Sequence, residues 1–181
     1  MPFLPTSISG LQLFEPKIFG DERGYFFEAY NKATFAAAGI KTEFVQDNQA
    51  RSPFGVLRGL HYQEGEYAQA KLVRVIAGSV FDVAVDLRPE SPTRYQWYGT
   101  TLSEANQRQL FIPKGFAHGY LVTSKTAVFA YKCDNFYAPQ AESGLRYNDP
   151  SLAISWPSLP EAYTIAARDL GWPLLKPAPT K

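Results

Sequence analysis

Apolar and polar residues alternate along much of the chain with the two-residue period of a β-strand. In residues 80–87, VFDVAVDL, one face consists of Phe81, Val83, Val85 and Leu87, and the other of Val80, Asp82, Ala84 and Asp86. The same alternation predicts strands in KLVRVIAGSV, QLFIP, GYLVT and AVFAYKC, with connections at Gly78-Ser79, PKGFAH and SKT. Many short strands with frequent glycine and proline turns favour an all-β antiparallel sandwich or barrel.

Helical patterns are few. Asn31 is placed to cap a short helix through KATFAAAG, which Gly39 would end. A second short helix is predicted in PEAYTIAARD, near the C-terminus. The length of 181 residues is that of one domain, so we predict a single domain over residues 1–181. Its last residues, LKPAPTK at 175–181, are expected to form a loose tail.

The charge is nearly balanced, with 18 lysines and arginines against 17 acidic residues. This balance argues against a nucleic acid or a membrane as a partner, but it leaves room for a local basic pocket that binds a small anion. Cys133 is the one cysteine, so no intrachain disulfide is expected. Without a secretory signal or an apolar run of roughly 18 residues, we expect a soluble cytoplasmic protein.

One of the two histidines, His61, stands beside Arg58 in the strand-like segment GVLRGLHYQ. Strict alternation would place these two side chains on opposite faces, but a bulge at Gly59 would bring both to one side. Arginine is rarely buried without an anion or acceptor, so this strand either lines a polar cavity or lies on the surface. A histidine here is suited to acid–base chemistry at neutral pH, with a buried structural role as the alternative.

Other polar residues lie among apolar neighbours. Lys71 shares a strand face with Val73 and Val75, and Tyr131 shares one with Phe129 and Cys133. Tyr137 has the same parity if that strand continues. Each residue alone also has an ordinary structural explanation, such as a strand end or a core aromatic ring with a hydrated hydroxyl.

Cofactor signals are weak. Two histidines without a His-x-His pattern predict no metal site, although two histidines and one carboxylate could form a facial triad. The chain has no G-x-G-x-x-G motif for a dinucleotide. The residues alone therefore indicate neither a metal nor a dinucleotide cofactor.

Longer motifs resemble those of the dTDP-4-dehydrorhamnose 3,5-epimerase family. They are DERGYFFEAYN at 21–31, FVQDNQARSPFGVLRGLHYQ at 44–63, the segment 71–122 with VAVDLR and IPKGFAHG, and YKCDNFYAPQAESGLRYNDPSLAISWP at 131–157. The C-terminal ARDLGWP departs from the family's more usual Ser-x-Lys-Asp. The resemblance implies a cupin-type jelly-roll barrel with a few short peripheral helices, a homodimer, and a cofactor-independent isomerase of dTDP-rhamnose biosynthesis.

The resemblance also implies roles for individual residues. His61 would be the general base, Asp169 its partner carboxylate and Tyr131 the acid on the opposite face of the sugar. Lys71 and Arg58 would stabilise charge near the keto oxygen and the diphosphate. Nucleotide or pocket contacts, some of them from the partner subunit, are implied for Arg23, Glu28, Gln46, Asn48, His118 and Tyr137.

The chemistry of these residue types agrees with that assignment. Inversion beside a ketone needs one group to remove a proton and another, on the other face, to return it. The expected reaction is inversion of C3 and C5 of dTDP-4-dehydro-6-deoxy-D-glucose to dTDP-4-dehydro-L-rhamnose through an enolate. Alternatives are an epimerase acting on C3 or C5 only, a non-catalytic sugar-nucleotide-binding cupin, and a metal-dependent cupin oxygenase.

Overall fold

A computed structural model describes residues 2–175, and within them the chain is mostly β-structure. The strands are β1 (Phe3–Pro5), β2 (Gln12–Phe14), β3 (Phe19–Asp21), β4 (Gly24–Phe26), β5 (Gln46–Pro53), β6 (Val56–Gln63), β7 (Lys71–Ala77), β8 (Ser79–Asp86), β9 (Trp97–Ser103), β10 (Gln109–Ile112), β11 (Phe116–Val122), β12 (Thr126–Cys133), β13 (Glu142–Gly144) and β14 (Thr164–Ile165). Two short α-helices, α1 (Lys32–Ala37) and α2 (Ala167–Leu170), and 3-10 turns at Gly65–Tyr67 and Pro139–Ala141 complete the elements.

Two sheets face each other. The first has the strand order β1-β2-β10-β7-β12-β5 and the second the order β13-β6-β11-β8-β9, while β3 and β4 form a separate hairpin. Side chains of both sheets meet in one core, with Val73 and Phe129 from the first and Val80, Ala84 and Val122 from the second. The prediction of a jelly roll with short peripheral helices is confirmed, although the sheets do not close into a complete barrel. One pairing is parallel, that of β14 with β6.

The second sheet is covered on both faces. Val80 and Ala84 of β8 point into the core between the sheets, whereas Val83 and Val85 pack under the C-terminal segment against Leu145 and other apolar residues. The period-two pattern therefore separates two buried faces in this strand. This covering segment also carries α2 towards β6.

The predicted first helix is confirmed. Asn31 caps α1, because its side-chain oxygen accepts hydrogen bonds from the backbone N–H groups of Ala33 at 2.9 Å and Thr34 at 3.3 Å. Gly39 follows the helix with φ +87°, a conformation that favours glycine. Phe35 attaches the helix to an aromatic cluster through the ring of Phe3.

The predicted second helix is largely wrong. Only Ala167–Leu170 is helical, and Thr164–Ile165 instead forms β14, which pairs with Val56 and Leu57 of β6. Hydrogen bonding to an existing strand edge outweighs the weak local preference for helix. Of the predicted tail, Leu175 is held by Asp149, whose carboxylate accepts its backbone N–H. Residues 176–181 lie outside the described residues.

The predicted bulge at Gly59 is present. His61 pairs with His118 and Arg58 pairs with Tyr120, so two residues of β6 lie opposite the single Gly119 of β11. Gly59 has φ +124°, and a Cβ atom there would lie 2.5 Å from the Cα atom of Gly119. Only glycine fits this crossing, and the extra residue brings Arg58 and His61 to the same cavity.

Candidate active site

A cavity of about 390 Å³ opens between the two sheets. The first sheet contributes Gln46, Asn48, Ala50, Lys71, Phe129, Tyr131 and Cys133, and the second contributes Arg58, His61, Tyr62, Gln63, His118, Gly119, Tyr120 and Glu142. Gln69, Tyr137 and Arg168 line it from outside the sheets. The cavity therefore combines most of the residues that the sequence predicts for the site.

His61 is hydrogen-bonded to a buried carboxylate. Its Nε2 atom lies 2.8 Å from Oδ1 of Asp169, and Oδ2 of Asp169 accepts the backbone N–H of Gly59 at 3.2 Å. Burial alone would raise the pKa of Asp169, but the hydrogen bond and charge of His61, the Gly59 N–H and the charge of Arg168 lower it. Because an ionised Asp169 only accepts, Nε2 of His61 donates and Nδ1 keeps the lone pair that a base needs.

Asp169 owes its position to α2, which places it against β6. The Trp172 ring lies edge-on to His61, with the ring centroids 6.3 Å apart. Trp172 also packs so closely on Gly144 that a Cβ atom there would lie 2.5 Å from the indole ring. The C-terminal segment thus fixes both the carboxylate and the imidazole.

Tyr131 and Lys71 face His61 from the first sheet. Burial, with smaller effects of neighbouring groups such as Cys133, raises the pKa of Tyr131, so its hydroxyl stays protonated at neutral pH. Burial lowers the pKa of Lys71, although the nearby Cys133, Asp82 and Glu142 oppose this effect. Burial raises the pKa of the Cys133 thiol to about 11, which keeps it neutral. A proton donor and the amino group of Lys71 therefore lie across the cavity from the imidazole.

His118 also has a carboxylate partner, which the sequence analysis missed. Its Nε2 atom lies 2.9 Å from Oδ2 of Asp82, and Asp82 is fully buried. The other oxygen of Asp82 has no hydrogen-bond partner among the described residues. The signal was present in the sequence, since Asp82 shares an inward strand face with Val80 and Ala84.

The lining of the cavity also includes Gln46, Asn48, Arg58 and Tyr137. The Nε atom of Arg58 donates to the Ser52 hydroxyl at 3.1 Å, and Gln46 accepts the backbone N–H of Tyr137 at 3.1 Å. Tyr137 does not continue the strand, because β12 ends at Cys133. It reaches the cavity from the loop that follows, so the condition on which its strand parity depended is not met.

Arg23 and Glu28 do not line the cavity of their own chain. Arg23 is exposed in the β3–β4 hairpin and forms an ion pair with Asp21. Glu28 accepts a hydrogen bond from the Asn31 side chain at 3.0 Å. The contacts predicted for these two residues are therefore not made in the cavity of their own chain.

Arg168 and Glu142 are pocket residues that the sequence analysis did not identify. The NH1 atom of Arg168 lies 2.9 Å from Oε2 of Glu142, and the same oxygen accepts the Tyr137 hydroxyl at 2.9 Å. Arg168 could have been found as the neighbour of Asp169 in ARDL, whereas Glu142 has no local signal.

Within residues 2–175, no three His, Cys, Asp or Glu side chains come together in a way that could hold a metal ion. In the same part of the chain, no helix has the length and apolar character needed to span a bilayer.

The chain matches known proteins over nearly its whole length. The family model described as dTDP-4-dehydrorhamnose 3,5-epimerase matches residues 5–177. The dTDP-4-dehydrorhamnose 3,5-epimerase of Salmonella typhimurium strain LT2 is 52% identical over 181 residues, which cover 98% of this chain and 97% of the relative.

Solved structures give the same result. The dTDP-6-deoxy-D-glucose-3,5-epimerase of Legionella pneumophila Philadelphia 1, in complex with dTDP-4-keto-L-rhamnose, superposes with a TM-score of 0.91 at 51% identity, covering 95% of this chain and 91% of that one. A 3'-monoepimerase of Streptomyces bikiniensis in complex with dTDP-quinovose has a TM-score of 0.87 at 32% identity, covering 94% and 86%. The resemblance seen in the motifs is confirmed, and the chain belongs to the dTDP-4-dehydrorhamnose 3,5-epimerase family of isomerases.

Proposed function

We propose that this chain inverts both C3 and C5 of dTDP-4-dehydro-6-deoxy-D-glucose and so forms dTDP-4-dehydro-L-rhamnose. The observation that carries the proposal is the position of His61 on one sheet and Tyr131 on the facing sheet, across a single cavity. Epimerisation needs a base and an acid on opposite faces of the sugar. A sugar ring between the two sheets would present one face to each.

In this mechanism Nδ1 of His61 removes the proton beside the ketone, and Asp169 stabilises the imidazolium that forms. The electrons move to the C4 oxygen as an enolate, which needs cationic or hydrogen-bonding groups that are already in place. Lys71 is a candidate from the first sheet, and His118 lines the same cavity. Tyr131 then delivers its proton to the opposite face of the carbon, and solvent restores the tyrosine.

The nucleotide end is proposed to lie at Gln46, Asn48, Arg58 and Tyr137. An arginine fork such as Arg58 suits a diphosphate, and the exposed ring of Tyr137 suits stacking on a flat base. The solved relative from Legionella, bound to dTDP-4-keto-L-rhamnose, supports this class of ligand. The free thiol of Cys133 agrees with a reducing compartment, in keeping with the expected cytoplasmic location.

A homodimer is part of the proposal. The β3–β4 hairpin exposes Phe19, Tyr25 and Phe26, with 70% of Phe26 accessible in the single chain. Exposed aromatic rings on a small hairpin indicate a contact with another protein surface. In a two-fold dimer this hairpin would bring Arg23 and Glu28 to the neighbouring cavity.

Epimerisation at one carbon is the second candidate, because the Streptomyces 3'-monoepimerase shares the fold. Incubation of the protein with dTDP-4-dehydro-6-deoxy-D-glucose in D2O, followed by NMR, tests both. We expect deuterium and inversion at C3 and at C5. Exchange at one carbon only would establish the monoepimerase, and no exchange at either carbon would support a non-catalytic binding protein.

A further inference from the structure

A continuous polar chain runs along the edge of the cavity from Tyr137 to His61. The Tyr137 hydroxyl donates to Oε2 of Glu142 at 2.9 Å, and the same oxygen accepts NH1 of Arg168 at 2.9 Å. The Nε atom of Arg168 lies 3.4 Å from Oδ1 of Asp169, the oxygen that accepts Nε2 of His61 at 2.8 Å. This series of polar contacts therefore connects the proposed nucleotide end of the cavity to the proposed base.

Arg168 is shared unequally between two carboxylates. Its contact with Glu142, at 2.9 Å, is shorter than its contact with Asp169, at 3.4 Å. Both carboxylates are much less exposed than the guanidinium. Its NH2 atom also lies 3.4 Å from Nε2 of His61. That nitrogen already donates to Asp169, so this approach brings positive charge to the imidazole without a hydrogen bond.

We propose that Glu142 is a positioning residue that draws the guanidinium of Arg168 towards itself and limits the contact of Arg168 with Asp169 to a single long one, so that the Asp169 carboxylate interacts mainly with His61. The inference rests on the proposed function, because it concerns the proposed base. Glu142 acts through Arg168 and Asp169 and does not itself touch the reacting carbon.

The physical reason lies in the geometry of arginine. A guanidinium presents five N–H groups in a rigid fork and pairs bidentately with a carboxylate. Without the charge of Glu142, Asp169 is the remaining anion in contact with Arg168. The guanidinium would then form shorter, bidentate hydrogen bonds with Asp169. Asp169 would then share its oxygens between Arg168 and His61. The charge of Arg168, no longer neutralised by Glu142, would oppose formation of the imidazolium of His61.

Other charges around the cavity are placed differently. The remaining titratable or charged groups that line it are Arg58, Tyr62, His118 and Tyr120 on the second sheet, Lys71, Tyr131 and Cys133 on the first, and Tyr137 in the loop after β12. Among these described residues none is an anion at neutral pH that could replace Glu142. Asp82 is bound to His118 and buried on the neighbouring strand β8.

A double-mutant cycle tests the inference. Glu142→Gln is expected to lower the rate of solvent exchange by about tenfold, the change that accompanies a barrier difference of about 1.4 kcal/mol. It is also expected to move the acid limb of the pH–rate profile to lower pH. Adding Arg168→Gln should restore most of the lost exchange rate, because the competing guanidinium is removed. It should also return the acid limb of the pH–rate profile towards its wild-type position. Glu161→Gln, on an exposed glutamate, is the matched control.

Arg168→Gln alone provides a second measurement if Glu142→Gln does not fold. The Arg168→Gln variant should leave kcat close to that of the wild type, because Asp169 still accepts the hydrogen bond of His61 and no guanidinium competes for its oxygens. A fall mainly in kcat would overturn the inference, as would a double variant no faster than Glu142→Gln or a Glu142→Gln variant with wild-type rate and profile. Absence of exchange in the wild-type protein would instead overturn the proposed function.

Discussion

The carboxylate of Asp169 lies 2.8 Å from Nε2 of His61, although 108 positions separate the two residues in the chain. The same carboxylate accepts the backbone N–H of Gly59. One side chain from α2 thus fixes both the imidazole and the bulge that turns it into the cavity. The chemistry of the base and the local shape of β6 depend on a single contact with the C-terminal segment.

His61→Ala is expected to abolish solvent exchange at both C3 and C5. Loss of a general base typically costs about 10²–10⁴-fold in rate, and His118, bound to Asp82, is not expected to replace it. Deuterium incorporation in D2O, measured by NMR on protein that still binds dTDP, provides the test. Exchange near the wild-type rate would mean that His61 has a structural role only.

Tyr131→Phe is expected to separate proton removal from proton return. The ring and its packing against Phe129 remain, but the acidic proton is lost. His61 would still form the enolate and return the proton to the original face, so exchange continues while inversion falls by about 10²–10⁴-fold.

The ratio of deuterium incorporated to product formed, measured separately at each carbon, decides this prediction. A ratio equal to that of the wild type would show that Tyr131 is not the acid. Tyr137, which also lines the cavity, would then be the next residue to test.

Mixing two impaired variants tests the dimer and the role of its hairpin. If Arg23 serves the neighbouring cavity, mixed dimers of Arg23→Ala and His61→Ala chains contain one intact site. Random mixing should then give about one quarter of the wild-type rate at low substrate concentration, since half of the dimers are mixed and each has one such site. Two Arg23→Ala preparations mixed together are the control. No recovery, or a stable and fully active monomer in sedimentation, would contradict the prediction.

Asp86→Asn is expected to destabilise the protein at neutral pH. Asp86 is fully buried and accepts hydrogen bonds from Arg88, Ser91 and Thr93. Burial would raise its pKa, but these partners, Arg88 first, lower it well below its usual value. Removing one member of a buried pair typically costs about 3–5 kcal/mol, and the partial exposure of Arg88 reduces this figure.

The sign of the pH dependence follows from the lowered pKa. Stability that comes from ionised Asp86 is fully present above its unfolded-state pKa of about 3.9 and is lost as pH falls towards its folded-state value. The difference between wild type and Asp86→Asn in urea unfolding should therefore shrink at acid pH. Glu43→Gln, which removes an exposed ion pair with Lys32, should change little at any pH. A difference for Asp86→Asn that does not vary with pH would contradict the assignment.

Gly59→Ala is expected to destabilise the protein and displace His61 relative to Arg58. The new Cβ atom would meet the backbone of Gly119 and His118, at 2.5 Å and 2.8 Å. Gly24→Ala is a matched control, because Gly24 has the same φ of +124° but no atom within 4 Å of its Cβ position. The melting temperature and the exchange rate should fall more for Gly59→Ala than for the control. Equal losses would show that backbone conformation alone, without the close crossing, explains the effect.

Local patterns were enough to predict much of the fold. The alternation in VFDVAVDL predicts a strand, and β8 covers all of it except Leu87. Asn31 and Gly39 predict the bounds of α1, because capping and a positive φ depend on neighbouring residues. Gly59 predicts the bulge, since glycine inside a strand marks the place where another backbone approaches. The local pattern failed in PEAYTIAARD, where a strand edge provided hydrogen bonds that a short helix cannot match.

The sequence by itself determined which residues were candidates for the site, through the motifs around Arg58, His61, Lys71 and Tyr131 and the resemblance that they carry. Only the tertiary structure decided how they are combined. It placed His61 and Tyr131 on facing sheets, gave His118 the buried Asp82, and joined Glu142 to Arg168 beside Asp169. It also left Arg23 outside the cavity of its own chain. The reason is that strand periodicity and capping depend on residues a few positions apart, whereas ion pairs and facing surfaces depend on which distant segments pack together.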